Sequence, residues 1–345
     1  MMTSAAHAGV WTEDPLAPLA DPQSQETGYG LLYTDACVPG ANWCMALGVD
    51  YTRGITNQLN LEEIYSDGTW TRVPGPPGFA RTNPSAESCS STSYCMAVSA
   101  YSGTVAIWNG ASWNLASASR EIALQAVSCH GTTCVATGTR GRTDIPSAEL
   151  WRNGVGHRIA PPIAGLDPGS IYCGTSSRCI AVGDYDCPEQ GRCPSPHPFA
   201  EMWNGRTWSV MNGATSSRNA VDQISCLSLS WCLGVEGHRT GRWDGRRWTA
   251  LRQRAPAGLG SGLISCATET SCETVGSVPN PTNLHETVLT AGHWDGQNWT
   301  VEPVPDNGAM DAQLRAVSCA STVLCTAVGF SGSDIQTPLA ESWQG

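Results

Sequence analysis

Residues 314–329 have the sequence LRAVSCASTVLCTAVG, and this stretch belongs to a cassette that recurs seven times along the chain. Each copy has a Ser-Cys pair or a variant of it and a second cysteine a few residues later. Four copies also have a Trp-Asn/Asp-Gly-x-x-Trp segment, such as WDGRRW at 243–248, and the other three have variants of it. Successive copies are 40–53 residues apart. Four short apolar runs at this period are typical of β-propeller blades. We therefore predict an all-β, seven-bladed propeller of four-stranded antiparallel blades.

The cassette also predicts the strands within a blade. The cysteine pair brackets a hairpin between the first and second strands. The Asn-Gly or Asp-Gly pair marks the turn between the third and fourth strands, because both central residues of a type I′ turn need positive φ. We expect a single domain over residues 1–345, with blades at roughly 31–73, 86–118, 124–163, 170–211, 221–251, 262–304 and 314–345.

The two ends of the sequence predict how the ring closes. The last copy stops after a third strand, ESWQG at 341–345, and the segment 10–17 begins with VWTE, which resembles the missing fourth strand. We expect the N-terminal strand to complete the seventh blade, which removes an open sheet edge. Most of the tryptophans lie near the turn between the third and fourth strands, where we expect them to pack between neighbouring blades.

Sixteen cysteines and seven histidines raise the question of metal binding. Zinc sites pair one Cys-x-x-Cys unit with a second unit or with histidines, whereas here one cysteine pair occurs per repeat and no histidine keeps a fixed offset. We therefore predict disulfides, no metal and no other cofactor. The predicted pairs are Cys37–Cys44, Cys89–Cys95, Cys129–Cys134, Cys173–Cys179, Cys226–Cys232, Cys266–Cys272 and Cys319–Cys325, with an eighth pair, Cys187–Cys193, outside the repeat pattern.

Composition indicates the cellular location of the protein and excludes some classes of binding partner. Disulfides persist in oxidising compartments, so we expect a secreted or cell-surface protein whose signal peptide has been removed from this sequence. No stretch has the roughly 18 apolar residues of a membrane span. The formal net charge of −11 argues against nucleic-acid binding, which requires a basic surface. We expect a monomer that binds a small molecule, a glycan or a peptide.

The Ser-Cys, Cys-Ala-Val-Gly and Trp-Asn-Gly elements together resemble the propeller repeats of exported actinobacterial proteins. The resemblance covers nearly the whole chain. It implies the propeller fold and export, and it implies no single activity.

Three long connections between second and third strands are candidates for function. In propellers these loops lie on one face with the blade-to-blade loops, around the channel mouth, and loops on a rigid scaffold often carry function. The long ones span 48–61, 183–198 and 276–290, in blades one, four and six. The loop of blade four contains the eighth cysteine pair. This pair either preorganises the loop for binding or protects it from proteolysis.

Two acids break the pattern of the first strands. Two residues before the first cysteine, five blades have valine or isoleucine, but blades one and two have Asp35 and Glu87. Neighbouring blades would bring these carboxyls close together near the channel, where two such groups can act as acid and base. The alternative is that arginines, with Arg53 and Arg81 as candidates, neutralise them, or that the strand register shifts locally.

Other polar residues, in or beside the connections between second and third strands, are weaker binding candidates. They are Asp50, Tyr51, Arg53, Arg140, Arg142, Asp184, Tyr185, Asp186, His197, His238, Arg239, His285 and Glu286. The sequence contains no nucleophile elbow, zinc-protease motif, P-loop or dinucleotide fingerprint. Three functions follow as hypotheses: a binding protein, which we favour; a lyase, hydrolase or natural-product cyclase that uses the acidic and histidine residues; or a purely structural scaffold.

Overall fold

The computed structural model describes residues 9–19, 29–51, 59–79, 82–100, 103–116, 122–140, 145–162, 166–185, 199–215, 220–256, 263–305, 311–332 and 336–345. In these residues the chain forms 28 β-strands, arranged in seven four-stranded antiparallel sheets. The first strand of each sheet contacts the first strand of the next, and the seventh contacts the first. The sheets are therefore the blades of a closed ring, and the prediction of a seven-bladed propeller is confirmed. Among the described residues no helix is long and apolar enough to cross a membrane.

The strands follow the chain in blade order after an initial strand, β1 (Val10–Glu13), that belongs to the last blade. Blade one contains β2 (Gly30–Cys37), β3 (Trp43–Asp50), β4 (Leu59–Ser66) and β5 (Thr69–Arg72). Blade two contains β6 (Ala86–Ser91), β7 (Tyr94–Val98), β8 (Val105–Trp108) and β9 (Trp113–Ala116). Blade three contains β10 (Ile122–His130), β11 (Thr133–Arg140), β12 (Ile145–Arg152) and β13 (Val155–Ile159).

The remaining four blades have the same plan. Blade four contains β14 (Leu166–Thr175), β15 (Arg178–Tyr185), β16 (Ala200–Trp203) and β17 (Trp208–Val210). Blade five contains β18 (Gln223–Ser228), β19 (Trp231–Glu236), β20 (Arg239–Trp243) and β21 (Trp248–Ala250). Blade six contains β22 (Leu263–Thr268), β23 (Ser271–Asn280), β24 (Asn283–Trp294) and β25 (Trp299–Pro303). Blade seven contains β26 (Gln313–Ser321), β27 (Leu324–Ser331) and β28 (Thr337–Gln344), and is completed by β1.

The ring closes as predicted. β1 pairs antiparallel with β28, in a register that runs from Val10 opposite Gln344 to Glu13 opposite Glu341. The Nε1–H of Trp11 also donates to Glu302 of blade six at 3.0 Å. The closing strand thus contacts both its own blade and the blade before it.

The cysteines form the predicted disulfides in all seven repeats. Their Cα atoms are 3.9–4.1 Å apart. This short separation is that of a non-hydrogen-bonded pair, in which the N–H of each residue points away from the partner strand. The N–H of the first cysteine therefore points out of its own sheet. The extra pair, Cys187–Cys193, lies outside the described residues.

The serine of the Ser-Cys motif accepts this outward N–H from the next blade. In the most buried case, the N–H of Cys173 in blade four donates to Ser128 Oγ of blade three at 2.8 Å. The same bond joins Cys37 to Ser318, Cys129 to Ser88, Cys266 to Ser225, and Cys319 to Ser265. Ala36 and Tyr172 replace the serine in blades one and four, where this bond cannot form. The motif therefore links neighbouring first strands.

The tryptophans pack between blades, as expected. Trp243 and Trp248 of blade five, for example, form one buried cluster with Ile180 and Val182 of blade four. Trp343 and Trp11 of blade seven pack in the same way on blade six. Each blade thus buries both of its faces against its neighbours.

The turns between third and fourth strands are of two kinds. In blades one and three, Asp67-Gly68 and Asn153-Gly154 have positive φ at both residues, as the type I′ prediction requires. In blade five only Gly245 has positive φ, 83°, and Asp244 Oδ1 accepts the N–H groups of Arg246 and Arg247 at 2.9 Å each. Blades two, four and six follow blade five. The type I′ prediction is therefore wrong for these four blades, because their loops have four residues and the Asn or Asp side chain caps them.

The long connection of blade six is not a loop. β23 and β24 extend as a hairpin with paired residues out to Asn280 opposite Asn283. Residues 276–290, expected to form a long structureless loop, are therefore mostly sheet, because Ser277 and Val278 continue the pairing of β23.

A buried glutamate recurs on the third strands, which the sequence analysis missed. Glu63, Glu149, Glu201 and Glu341 are at most 3% exposed. Glu63 Oε1 accepts from Arg72 Nε at 2.7 Å, across from it on the fourth strand. Desolvation raises the pKa of Glu63, and Arg72 partly offsets this rise.

Candidate functional site at the channel mouth of blades seven, one and two

Three first strands carry a β-bulge at the same position, four residues before the first cysteine. The bulged residues are Tyr33 in β2, Gln125 in β10 and Arg315 in β26. A bulge leaves one residue without a partner in the ladder and redirects its side chain. Of these three residues Arg315 is exposed and Tyr33 is partly exposed, whereas the side-chain oxygen of Gln125 is buried.

Arg315 lies against two aromatic rings near the mouth. Its Cζ is 5.7 Å from the centroid of Tyr33, in the next blade, and 5.2 Å from the centroid of Phe330, in its own blade. Distances of this size allow cation–π attraction. Phe330 is buried while Arg315 is exposed, so the two rings contact the guanidinium of a side chain that solvent still reaches.

Tyrosines and an asparagine extend this cluster into blades one and two. Tyr29 and Tyr51 stack with centroids 5.3 Å apart and planes at 19°. The hydroxyls of Tyr33 and Tyr51 are 3.4 Å apart, and Asn83 Nδ2 donates to the Tyr33 hydroxyl at 2.8 Å. All four side chains are partly exposed. The cluster of Arg315, Tyr29, Tyr33, Tyr51, Asn83 and Phe330 is called the mouth cluster below.

The mouth cluster lies on the face of the connections between second and third strands. Gly30, next to Tyr29, pairs with Asp50, the last residue of β3. Phe330, near the end of β27, pairs with Gln313, the first residue of β26. The cluster offers a cation, three phenol groups and flat aromatic surface. Such a set can bind a ligand that combines a planar group with a hydrogen-bond acceptor or a negative charge.

Of the binding residues predicted from sequence, Tyr51 belongs to the mouth cluster and Asp50 lies next to it. The others that the structure describes lie at separate strand ends. Arg140 is exposed at the end of β11, and Arg239 pairs with Glu236 at 3.2 Å in the tight turn that contains His238. Glu286 accepts from Asn280 and Asn283 in the blade-six hairpin.

The remaining predicted residues are not described in full. Arg53, Arg142, Asp186 and His197 lie outside the described residues, as does Arg81, one of the two arginines considered as neutralising partners. Asp184, Tyr185 and His285 are described only as members of β15 and β24. Sequence reasoning missed the other five members of the mouth cluster, Tyr29, Tyr33, Asn83, Arg315 and Phe330. The variable position four residues before the first cysteine was an available signal for Tyr33 and Arg315.

Asp35 and Glu87 lie in neighbouring gaps between blades. Asp35 Oδ2 accepts from Thr326 of blade seven at 2.7 Å, whereas Glu87 Oε1 accepts from Thr34 of blade one at 2.8 Å. Each acid therefore faces the blade that precedes its own. The second oxygen of each carboxyl is buried and has no hydrogen-bond partner among the described residues.

The environment raises the pKa of both acids. Burial raises the pKa of Asp35 well above its usual value, against the bond from Thr326. Burial also raises the pKa of Glu87, and the charges of Asp35 and Glu62 raise it further. Glu62, on the third strand of blade one, accepts from Trp113 Nε1 at 2.5 Å, and burial raises its pKa to about 8. The three acids are thus electrostatically coupled, although each has its own hydrogen-bond donor.

No family model matches this chain, and no curated protein matches it. Solved structures do. A structure of YCF48 bound to a D1 peptide superposes with a TM-score of 0.61 at 13% identity and covers 98% of both chains. A streptogramin B lyase structure has a TM-score of 0.59 at 9% identity, covering 99% of this chain and 100% of that one.

A catalytically inactive variant of virginiamycin B lyase from Staphylococcus aureus, with quinupristin, has a TM-score of 0.62 at 10% identity. It covers 98% of this chain and 99% of that one. At these identities the likeness concerns the fold alone. Propellers of this shape therefore include both a peptide-binding protein and lyases.

Proposed function

We propose that this protein is an exported binding protein whose mouth cluster holds a ligand with an acidic group beside a planar one, such as an acidic aromatic peptide. The observation that carries the proposal is the placement of Arg315 over Tyr33 and Phe330. An arginine stacked on aromatic rings loses less side-chain entropy when it binds than a free one does. The seven described disulfides support export to an oxidising compartment.

Charge limits the ligand class. The chain carries a formal net charge of −11, so a polyanion would be repelled at long range. A ligand with one carboxylate can still form a short-range, charge-assisted bond with Arg315. The Tyr29–Tyr51 stack supplies a surface for its planar group. The peptide-bound YCF48 neighbour supports a peptide as the first class to test.

The test is a peptide screen with matched neutral versions. Peptides that contain an aromatic residue beside Asp or Glu are compared with the same peptides carrying Asn or Gln. We expect acidic peptides to bind and the neutral versions to bind at least about tenfold more weakly, which corresponds to about 1.4 kcal/mol. In the protein, Arg315→Gln should cause a similar loss.

Arg246→Gln is the matched control, because Arg246 is an exposed arginine on the turn between third and fourth strands of blade five. It changes the net charge equally and should leave affinity unchanged. The proposal is wrong if no acidic peptide binds, or if Arg315→Gln and Arg246→Gln have equal effects. A glycan that binds equally well to the Arg315→Gln variant would place the binding site elsewhere.

An enzyme is the second candidate function, because Asp35 and Glu87 lie on the first strands of neighbouring blades, each with a buried carboxyl oxygen that has no partner among the described residues. Burial raises the pKa of both carboxyls. A protonated carboxyl can serve as a general acid in a lyase or hydrolase. Turnover of a substrate should then be lost in Asp35→Asn or Glu87→Gln without loss of folding. Full turnover in both variants would remove these two acids from any mechanism.

A further inference from the structure

Three side chains with metal-binding atoms meet on the face of blade six that packs on blade seven. Glu273 lies on β23, His293 lies opposite it on β24, and Glu302 lies on β25. One ligand atom from each lies within 4.8 Å of the others. His293 Nδ1 is 2.5 Å from Glu273 Oε1. Three adjacent strands of one sheet therefore present an imidazole and two carboxyls to the same point.

Two tryptophans of blade seven hold this group in place. The ring of Trp343 stacks on the His293 ring with centroids 5.9 Å apart and planes at 9°. Trp11, on the closing strand, donates to Glu302 Oε2 at 3.0 Å. A hydrogen bond to a ligating carboxylate and a packed imidazole are the kind of support that orients metal ligands. The group thus lies at the junction that closes the ring.

Glu273 has a buried oxygen without a partner. The residue is fully buried, and its Oε2 has no hydrogen-bond partner among the described residues. The chain places a glutamate here although five of the six equivalent positions in other blades are apolar; the six are Met45, Met96, Val135, Ile180, Leu233 and Thr326. Burying an unpaired carboxyl oxygen is costly. A bound cation would satisfy it.

We propose that Glu273, His293 and Glu302 form a binding site for a divalent transition-metal ion, with zinc as the first candidate. Imidazole nitrogen and carboxylate oxygen bind zinc at about 2.0–2.2 Å, which places ligand atoms about 3.4 Å apart in a tetrahedral site. The present spacing needs small side-chain shifts to reach this geometry. Glu302 is partly exposed, so an ion can enter from solvent. The ion would tie three strands of blade six together beside the closing strand.

A second cluster of metal-binding residue types among the described residues cannot bind a metal in the same way. Asp35, Cys37 and Cys44 also lie close together, but the two cysteines are joined in a disulfide and cannot act as thiolate ligands. The described part of the chain therefore supports the histidine site alone.

The experiment is a titration of chelator-treated, dialysed protein with zinc chloride, followed by calorimetry and thermal unfolding. We expect one ion per chain and a rise in melting temperature of several degrees at zinc concentrations about 100-fold above Kd. Cobalt(II) in place of zinc should give visible absorption bands that report nitrogen and oxygen ligation. Magnesium should give neither effect, because imidazole is a poor ligand for it.

Glu302→Gln is the decisive variant, since Glu302 is the most accessible ligand and glutamine keeps its shape and an oxygen that can accept from Trp11. It should weaken zinc binding at least about tenfold, and His293→Gln should abolish the cobalt bands. His157→Gln removes an exposed histidine of blade three and serves as the control with unchanged affinity. The proposal is overturned if zinc does not bind the wild type, or if Glu302→Gln and His157→Gln bind it equally well.

Discussion

The bonds between Ser and Cys of neighbouring blades predict an ordered series of stability losses. In Ser128→Ala, the N–H of Cys173 loses its acceptor, at 2.8 Å in the wild type, in a place where both partners are buried. An unsatisfied buried donor costs about 1–3 kcal/mol. The equivalent bond from Cys37 to Ser318 is only partly buried, so water can replace the hydroxyl. We therefore expect Ser318→Ala to cost about 0.5–1 kcal/mol.

Unfolding of the oxidised proteins in guanidinium chloride measures these differences in the free energy of unfolding, provided that the variants share one denaturant slope (m value). Ala36→Ser provides the opposite test, because it places a hydroxyl where Cys89 in blade two lacks this acceptor. It should stabilise the protein by about 0.5–1 kcal/mol. The reasoning fails if Ser128→Ala lies within about 0.5 kcal/mol of wild type, or if it costs less than Ser318→Ala.

Three further predictions follow from buried charges and disulfides. Arg72→Gln leaves Glu63 buried without its cation and should destabilise by about 3 kcal/mol in thermal unfolding, whereas a double change with Glu63→Gln should recover most of this loss. Burial raises the pKa of Glu62 to about 8, from about 4.5 in the unfolded chain. The contribution of Glu62 to the free energy of unfolding is therefore fully present below pH 4.5 and is lost as the pH rises to 8. Glu62→Gln should flatten the plot of stability against pH over this window, and an unchanged slope of that plot would contradict the assignment. Reduction of the disulfides should cost about 2 kcal/mol per bridge, and a melting temperature unchanged by a strong reductant would show that the bridges do not stabilise the fold.

The sequence predicted the architecture well because its markers have local physical causes. The cysteines identify the first hairpin, and the Asn-Gly and Asp-Gly pairs identify the second. The resemblance of VWTE to a fourth strand was enough to predict the ring closure. By contrast, the residues between Gly276 and Thr290 include two prolines and two asparagines, a composition typical of loops, yet the hairpin continues through them.

The candidate site was harder to predict because it depends on which side of a strand a residue faces. Asp35 and Glu87 occupy the same repeat position, but each faces the preceding blade, so they lie in different gaps. Tyr33 and Arg315, which lie 5.7 Å apart from guanidinium carbon to ring centroid, are both bulged residues of their first strands. When the repeats are aligned on their cysteines, the position four residues before the first cysteine is variable. The sequence has no marker that would show a bulge there.

Confinement of every described disulfide to one hairpin has a consequence for biogenesis. The paired cysteines are only 5–7 residues apart in sequence, so each bridge can form as soon as its own hairpin does. Even eight cysteines paired at random have 105 possible connectivities. Local pairing avoids this search and lets oxidation proceed blade by blade as the chain emerges. The joining of β1 to β28 then remains a separate, non-covalent step that follows when both ends of the ring are present.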